Sequence, residues 1–192
     1  MGDSGSPPST SVDQSGAFAD GDIVARDKIT NIHHVERRSQ IDGWLDRLAE
    51  EMRDNAAVRD LVDSLQYYFQ PFPYDDVVGL EAKLDRSGRS AQKRLALRKK
   101  EAFSKLLAEW QAYPSAQEII AYFLTKIEAA FETEIVPLLD EVEPSEIDSL
   151  IKDKLIDPVL AEMGCGPFML NYLHVSGMVY WLAEQCYVRW HT

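Results

Sequence analysis

The chain has 192 residues, 45% of them hydrophobic, enough for one packed domain plus a tail. Its formal net charge of −12 argues against general nucleic-acid binding, and its two cysteines, Cys165 and Cys186, make no CxxC pair and suggest reduced thiols in a cytoplasmic protein rather than a disulfide framework. No apolar run is long enough to cross a bilayer, and the start "MGDSGSPPSTSVDQSG" lacks the basic and apolar regions of a signal peptide.

Residues 1–20 are Ser, Gly, Pro and Asp with few apolar groups, which reads as a disordered tail. Gly2 and Ser6 match the spacing of an N-myristoylation site, but no second basic or apolar signal supports stable anchoring, so no membrane partner is expected. Residues 21–35, "GDIVARDKITNIHHV", form a distinct leader. A phosphate loop needs clustered glycines, and here Gly21 stands alone beside Asp22 and Asp27, which repel phosphate. His33 and His34 point to opposite faces of a strand and cannot share one zinc ion. Ile23, Val24, Ile29, Ile32 and Val35 favour strands, and "ARD", Ala25 to Asp27, fits a turn, so the leader (Gly21, Asp22, Ile23, Val24, Asp27, Lys28 and Ile29 as its interaction residues) is expected to be a short β-hairpin. A lone hairpin is marginal in water; it must lie on the bundle or extend a strand of a partner or a second copy.

The remainder, 36–192, reads as a multi-helix bundle, making the fold class all-α with a short N-terminal β-hairpin-like leader. In "SQIDGWLDRLAEEMRD", Ile41, Leu45, Leu48 and Met52 share a face behind a Ser39 cap. "NAAVRDLVDSLQYYF" predicts a second helix with Val58, Leu61, Val62, Leu65 and Phe69 inward. The prolines of "QPFPYDD" break the chain, and Asp75 or Asp76 is the expected cap of a helix closed by Gly88. Next comes a long helix with Leu95, Phe103, Leu106, Leu107 and Trp110 on one side and basic residues on the other. The most apolar segment, opened by Pro114 and ended or kinked by Pro137, is the expected central helix. A helix from Pro144 to Gly164 and a closing one, "VSGMVYWLAEQCYVRW", complete the series.

Charge is segregated: nine Lys/Arg lie between Lys83 and Lys105, and eleven acidic residues between Glu128 and Glu162. The basic stripe, with Lys93, Arg94, Arg98, Lys99 and Lys100 at its centre, is expected to meet an acidic surface, either the chain's own 128–162 half or a partner's. Nucleic-acid sensing through the same stripe is the alternative. No nucleophile elbow, HExxH or Walker pattern is present, and paired carboxylates such as Asp75–Asp76 and Glu132–Glu134 read as capping and surface groups. A hydrolase built from scattered carboxylates and His174 is the least favoured reading; no catalytic residue, metal site or cofactor is assigned. The terminal Tyr180, Trp181, Tyr187 and Trp190 cluster, with Arg189 able to stack on a ring, is expected to pack into the core or against a partner.

"GDIVARDKITN", followed by "YYFQPFPYDDVVGLEAKL", "SAQEIIAYFLTKIEAAF" and "GMVYWLAEQCYVRWH", resembles the C-terminal domain of proteins from bacterial ABC three-component conflict systems. That resemblance implies a non-enzymatic adaptor in antiviral, anti-phage defence. Such a domain would link an effector to an SMC-like ABC ATPase and a small middle component. Only a tail of about 20 residues precedes the leader, so the effector is expected to be a separate protein or absent.

Overall fold

The computed structural model describes residues 39–70 and 76–191, which belong to the unit Arg38–Thr192. The expectations for the tail and the leader (Gly21, Asp22, Ile23, Val24, Asp27, Lys28 and Ile29) lie outside the described residues. Within them there is no strand, and the fold is all-α.

Helix α1, Gln40–Arg53, opens on the expected cap. Ser39 Oγ accepts from Asp42 N–H, and Asp42 in return accepts from Ser39 N–H, closing a capping box. Ile41, Trp44, Leu45 and Leu48 are buried, while Met52, in the last turn, is about two-fifths exposed. The second expected helix is mostly not one. Only α2, Asp63–Gln66, and a 3₁₀ turn, Tyr67–Phe69, form; Val58 and Phe69 are about two-fifths exposed. The segment before α2 is claimed from elsewhere: Val58 N–H donates to Ala112 O at 2.7 Å and Val62 N–H to Gln117 Oε1 at 2.5 Å. These bonds hold it extended against the next helices, overriding its helical periodicity.

Helix α3, Leu80–Arg86, starts at Gly79 rather than at an aspartate cap, and Glu184 from the far end of the chain accepts from Leu80 N–H at 2.7 Å. Gly88, at φ +71°, ends it in the left-handed conformation. A short 3₁₀ turn leads into α4, Lys93–Trp110, with Ala96, Phe103, Leu106 and Leu107 buried. Leu95, expected inward, is half exposed. Helix α5, Pro114–Ala130, has Ile119, Ile120, Phe123, Leu124 and Ile127 fully buried and is the central helix.

Two later prolines, Pro137 and Pro158, act before they are reached. A proline in a helix removes one N–H and crowds the carbonyl four residues back. Ahead of Pro137 the helix widens into π geometry over Phe131–Ile135, with Val136 N–H bonded to Phe131 O. Ahead of Pro158 it does so over Lys152–Ile156, with Asp157 N–H bonded to Lys152 O. The helix expected from Pro144 to Gly164 is therefore α6, Pro144–Ile151, a π turn, and α7, Asp157–Glu162. Helix α8, Tyr172–Glu184, is capped by Asn171 and packs along α4. Its close approach uses Gly177: a Cβ there would overlap the Lys99 carbonyl oxygen and lie 2.7 Å from Phe103 Cβ. Contrary to expectation, the helix stops before "CYVRW". Cys186, at φ +65°, turns the chain, and Tyr187, Val188 and Trp190 are buried as a non-helical strap.

Candidate functional site

The basic stripe separates into three populations. Two members are inside the fold. Lys83 shares a face of α3 with Leu80 and Leu84 and is fully buried, its Nζ donating to Val188 O at 3.1 Å. Arg89 is also buried; Nη2 donates to Pro144 O at 2.8 Å and Nη1 pairs with Asp148. A second group is paired nearer the surface: Lys93 with Asp85 at 2.5 Å, Lys100 with Glu184 at 3.1 Å, and Lys105 with Glu101 at 2.8 Å. Among the described residues the stripe forms an ion pair with the chain's own acidic half through Arg89 and Asp148. The third group, Arg86, Arg94 and Arg98, is exposed and has no hydrogen bond or ion pair among the described residues.

Lys99 belongs to none of these. It is partly buried, with Nζ 5.5 Å from the Tyr172 ring centre and 5.7 Å from that of Tyr180. Burial pulls its ammonium below the ordinary lysine value, against the field of Asp148. It lines a cavity of about 230 Å³ between α4, the α6 region and α8, whose apolar walls include Leu95, Ile151, Ile156 and Val179. Asp148 is in the wall with its charge engaged by Arg89 and, at 2.8 Å, by Gln92 Nε2. Ser176 and Trp190 complete the lining; both are buried, and neither Ser176 Oγ nor Trp190 Nε1 has a hydrogen-bond partner among the described residues. Burial, then the field of Asp148, pushes the Tyr180 phenol up to about 12, so it is a neutral O–H donor throughout the physiological range.

The C-terminal strap is held at three points. Tyr187 Oη donates toward the carbonyls of Tyr67, at 2.7 Å, and Gln70, at 2.8 Å. Val188 O receives Lys83, and the Trp190 ring packs edge-on to Phe131 and tilted against Tyr180. Arg189, between two buried residues, is exposed. Sequence reasoning missed the inward Lys83, Arg89 and Ser176. Helical spacing carries a signal for two of them: Lys83 follows Leu80 by three, and Ser176 lies four from both Tyr172 and Tyr180.

The residues weighed for hydrolysis are scattered. His174 sits in the first turn of α8, its backbone N–H bonded to Asn171 Oδ1. Glu134 pairs with Lys154 at 3.6 Å on the surface, Glu132 is exposed, and Asp75 lies outside the described residues. Among the described residues no group of three or more His, Cys, Asp or Glu is placed to hold a metal ion, and no helix is long and apolar enough to cross a membrane.

A family model described as C-terminal domain 9 of the ABC-three component (ABC-3C) systems matches residues 79–190, spanning α3 to the strap. No curated protein and no solved structure matches the chain.

Proposed function

The chain belongs to the C-terminal domain 9 family of the ABC-three component systems, and from that membership we propose that it is a non-enzymatic coupling subunit. It links an effector to the SMC-like ABC ATPase and middle component of an anti-phage system in the bacterial cytoplasm. The observation that carries the contact surface is the sorting of α4's charge. Arg94 and Arg98 on its outer face are unpaired among the described residues, while Lys93, Lys100 and Lys105 are neutralised by this chain's own carboxylates. Exposed guanidinium groups suit bidentate contact with carboxylates of a partner.

The test is charge reversal. The Arg94→Glu, Arg98→Glu double variant keeps Lys99, whose partly buried ammonium packs against two tyrosine rings, and should retain its helical signal. It should lose most of the ATPase or middle component captured by the parent in pull-down at low salt; equal capture refutes the assignment. The same residues carry a second reading, binding of duplex DNA. Two arginines neutralise two phosphates and give a log–log salt slope of roughly −2, shallow beside that of a dedicated DNA-binding protein. Duplex binding with a slope of roughly −2 that the double variant abolishes favours the second reading.

A further inference from the structure

The cavity between α4, the α6 region and α8 holds three donors that the protein itself does not use. Several helical hydroxyls elsewhere in the chain bond back to the carbonyl four residues earlier (Thr125 to Ala121 at 2.9 Å, Thr133 to Ala129 at 2.9 Å, Ser149 to Ser145 at 3.3 Å), and the hydroxyls of Ser64 and Ser115 bond to Glu118 and Glu51. Ser176, only 2% exposed on α8, has no such bond, and its Oγ has no partner among the described residues. Trp190, 5% exposed, likewise keeps a buried indole N–H without an acceptor among the described residues. Buried polar atoms are nearly always hydrogen-bonded, so two orphans lining one cavity point to an acceptor that comes from outside the chain. Lys99 adds a positive charge without a hydrogen bond or ion pair among the described residues.

We infer that this cavity binds a small organic carboxylate, its oxygens received by Lys99 Nζ, Ser176 Oγ and Trp190 Nε1 and its apolar part lying among Leu95, Ile151, Ile156 and Val179. An anion is selected because the donors include a cation and the available atoms donate. A monoanion is selected over a phosphate dianion because Asp148 is in the wall and its neighbouring cation, Arg89, is already committed to it. The apolar walls call for a hydrocarbon portion. A volume of about 230 Å³ falls below the roughly 300–1,000 Å³ of sites for drug-sized ligands, so the ligand is compact. Because Lys99 is on α4 and Trp190 on the strap, the bound carboxylate would tie the two together.

The experiment titrates the full chain with acetate, hexanoate and benzoate, with benzamide and inorganic phosphate as comparisons. It follows the assigned Trp190 indole N–H by two-dimensional NMR. At least one carboxylate with an apolar body should shift that resonance saturably, with a dissociation constant of about 1 mM or tighter. Benzamide and phosphate should not. Lys99→Met should weaken binding at least about tenfold, the loss expected when a charge-assisted hydrogen bond goes. Ser176→Ala should weaken it by a smaller factor while leaving the melting temperature of the free protein unchanged or raised. The inference is overturned if no carboxylate in the series moves the Trp190 signal, if phosphate moves it equally, or if Lys99→Met binds as the parent does.

Discussion

Gly177→Ala tests the packing on which both surfaces of α4 depend. A methyl group at 177 would overlap the Lys99 carbonyl oxygen and lie 2.7 Å from Phe103 Cβ, where ordinary contact begins near 3.4 Å. The helices would therefore have to separate by roughly 0.7 Å or more, disturbing the edge-to-face contact of Phe103 with Trp181 at 5.7 Å. Overpacking costs about 1–3 kcal/mol, and a clash with a backbone carbonyl that cannot rotate away lies in the upper part of that range, about 2–3 kcal/mol, of which the better helix propensity of alanine returns about 1 kcal/mol. The net loss is about 1–2 kcal/mol, a fall of about 2–8 °C in melting temperature for a domain of this size. Gly43→Ala is the matched control: it lies on exposed α1 with nothing within 4 Å of the added carbon, so only the propensity gain applies. Thermal unfolding followed by circular dichroism should move the two variants in opposite directions. A Gly177→Ala protein as stable as the parent, or stabilised like Gly43→Ala, refutes the close α4–α8 seam.

Lys83→Ala should cost about 2–4 kcal/mol in urea unfolding, because it removes a fully buried aliphatic stem and strips the Val188 carbonyl of its donor, whereas Lys83→Met should recover part of the loss by refilling the space. Glu184→Gln bears on pH. Burial raises the Glu184 carboxyl, but Leu80 N–H, Lys100 and Lys83 outweigh it and hold it below the ordinary value of 4.5. A folded-state value below the unfolded one means a stabilisation complete above about pH 5 and lost as pH falls through the depressed value. Glutamine keeps an acceptor for Leu80 but cannot ionise, so the variant should be less stable near pH 7 and lose stability less steeply on acidification. Parallel acid profiles for variant and parent would contradict this linkage.

Much of the helical order is legible in local chemistry. Ser39 with Asp42 writes a capping box, Pro114 sits where a first-turn proline belongs, and Gly88 closes α3 through a conformation open to glycine. These signals act within four residues, and one sequence contains them whole. The family was legible too, because the order of several short segments carries it. What local pattern could not show are partners about fifty to a hundred residues apart. Periodicity reads Val58–Phe69 as one helix, yet Gln117 and Ala112 supply tertiary acceptors that hold its first half extended. Composition reads residues 83–105 as one basic stripe, yet Val188, Pro144 and Asp148 draw Lys83 and Arg89 into the interior and leave Arg94 and Arg98 outside. The cavity is further still from the sequence: Lys99, Ser176 and Trp190 come from three separate segments. The helix ends at Ser39, Pro114 and Gly88 follow from local backbone chemistry, whereas the fate of each charge depends on which distant carbonyl or carboxylate the folded chain brings beside it.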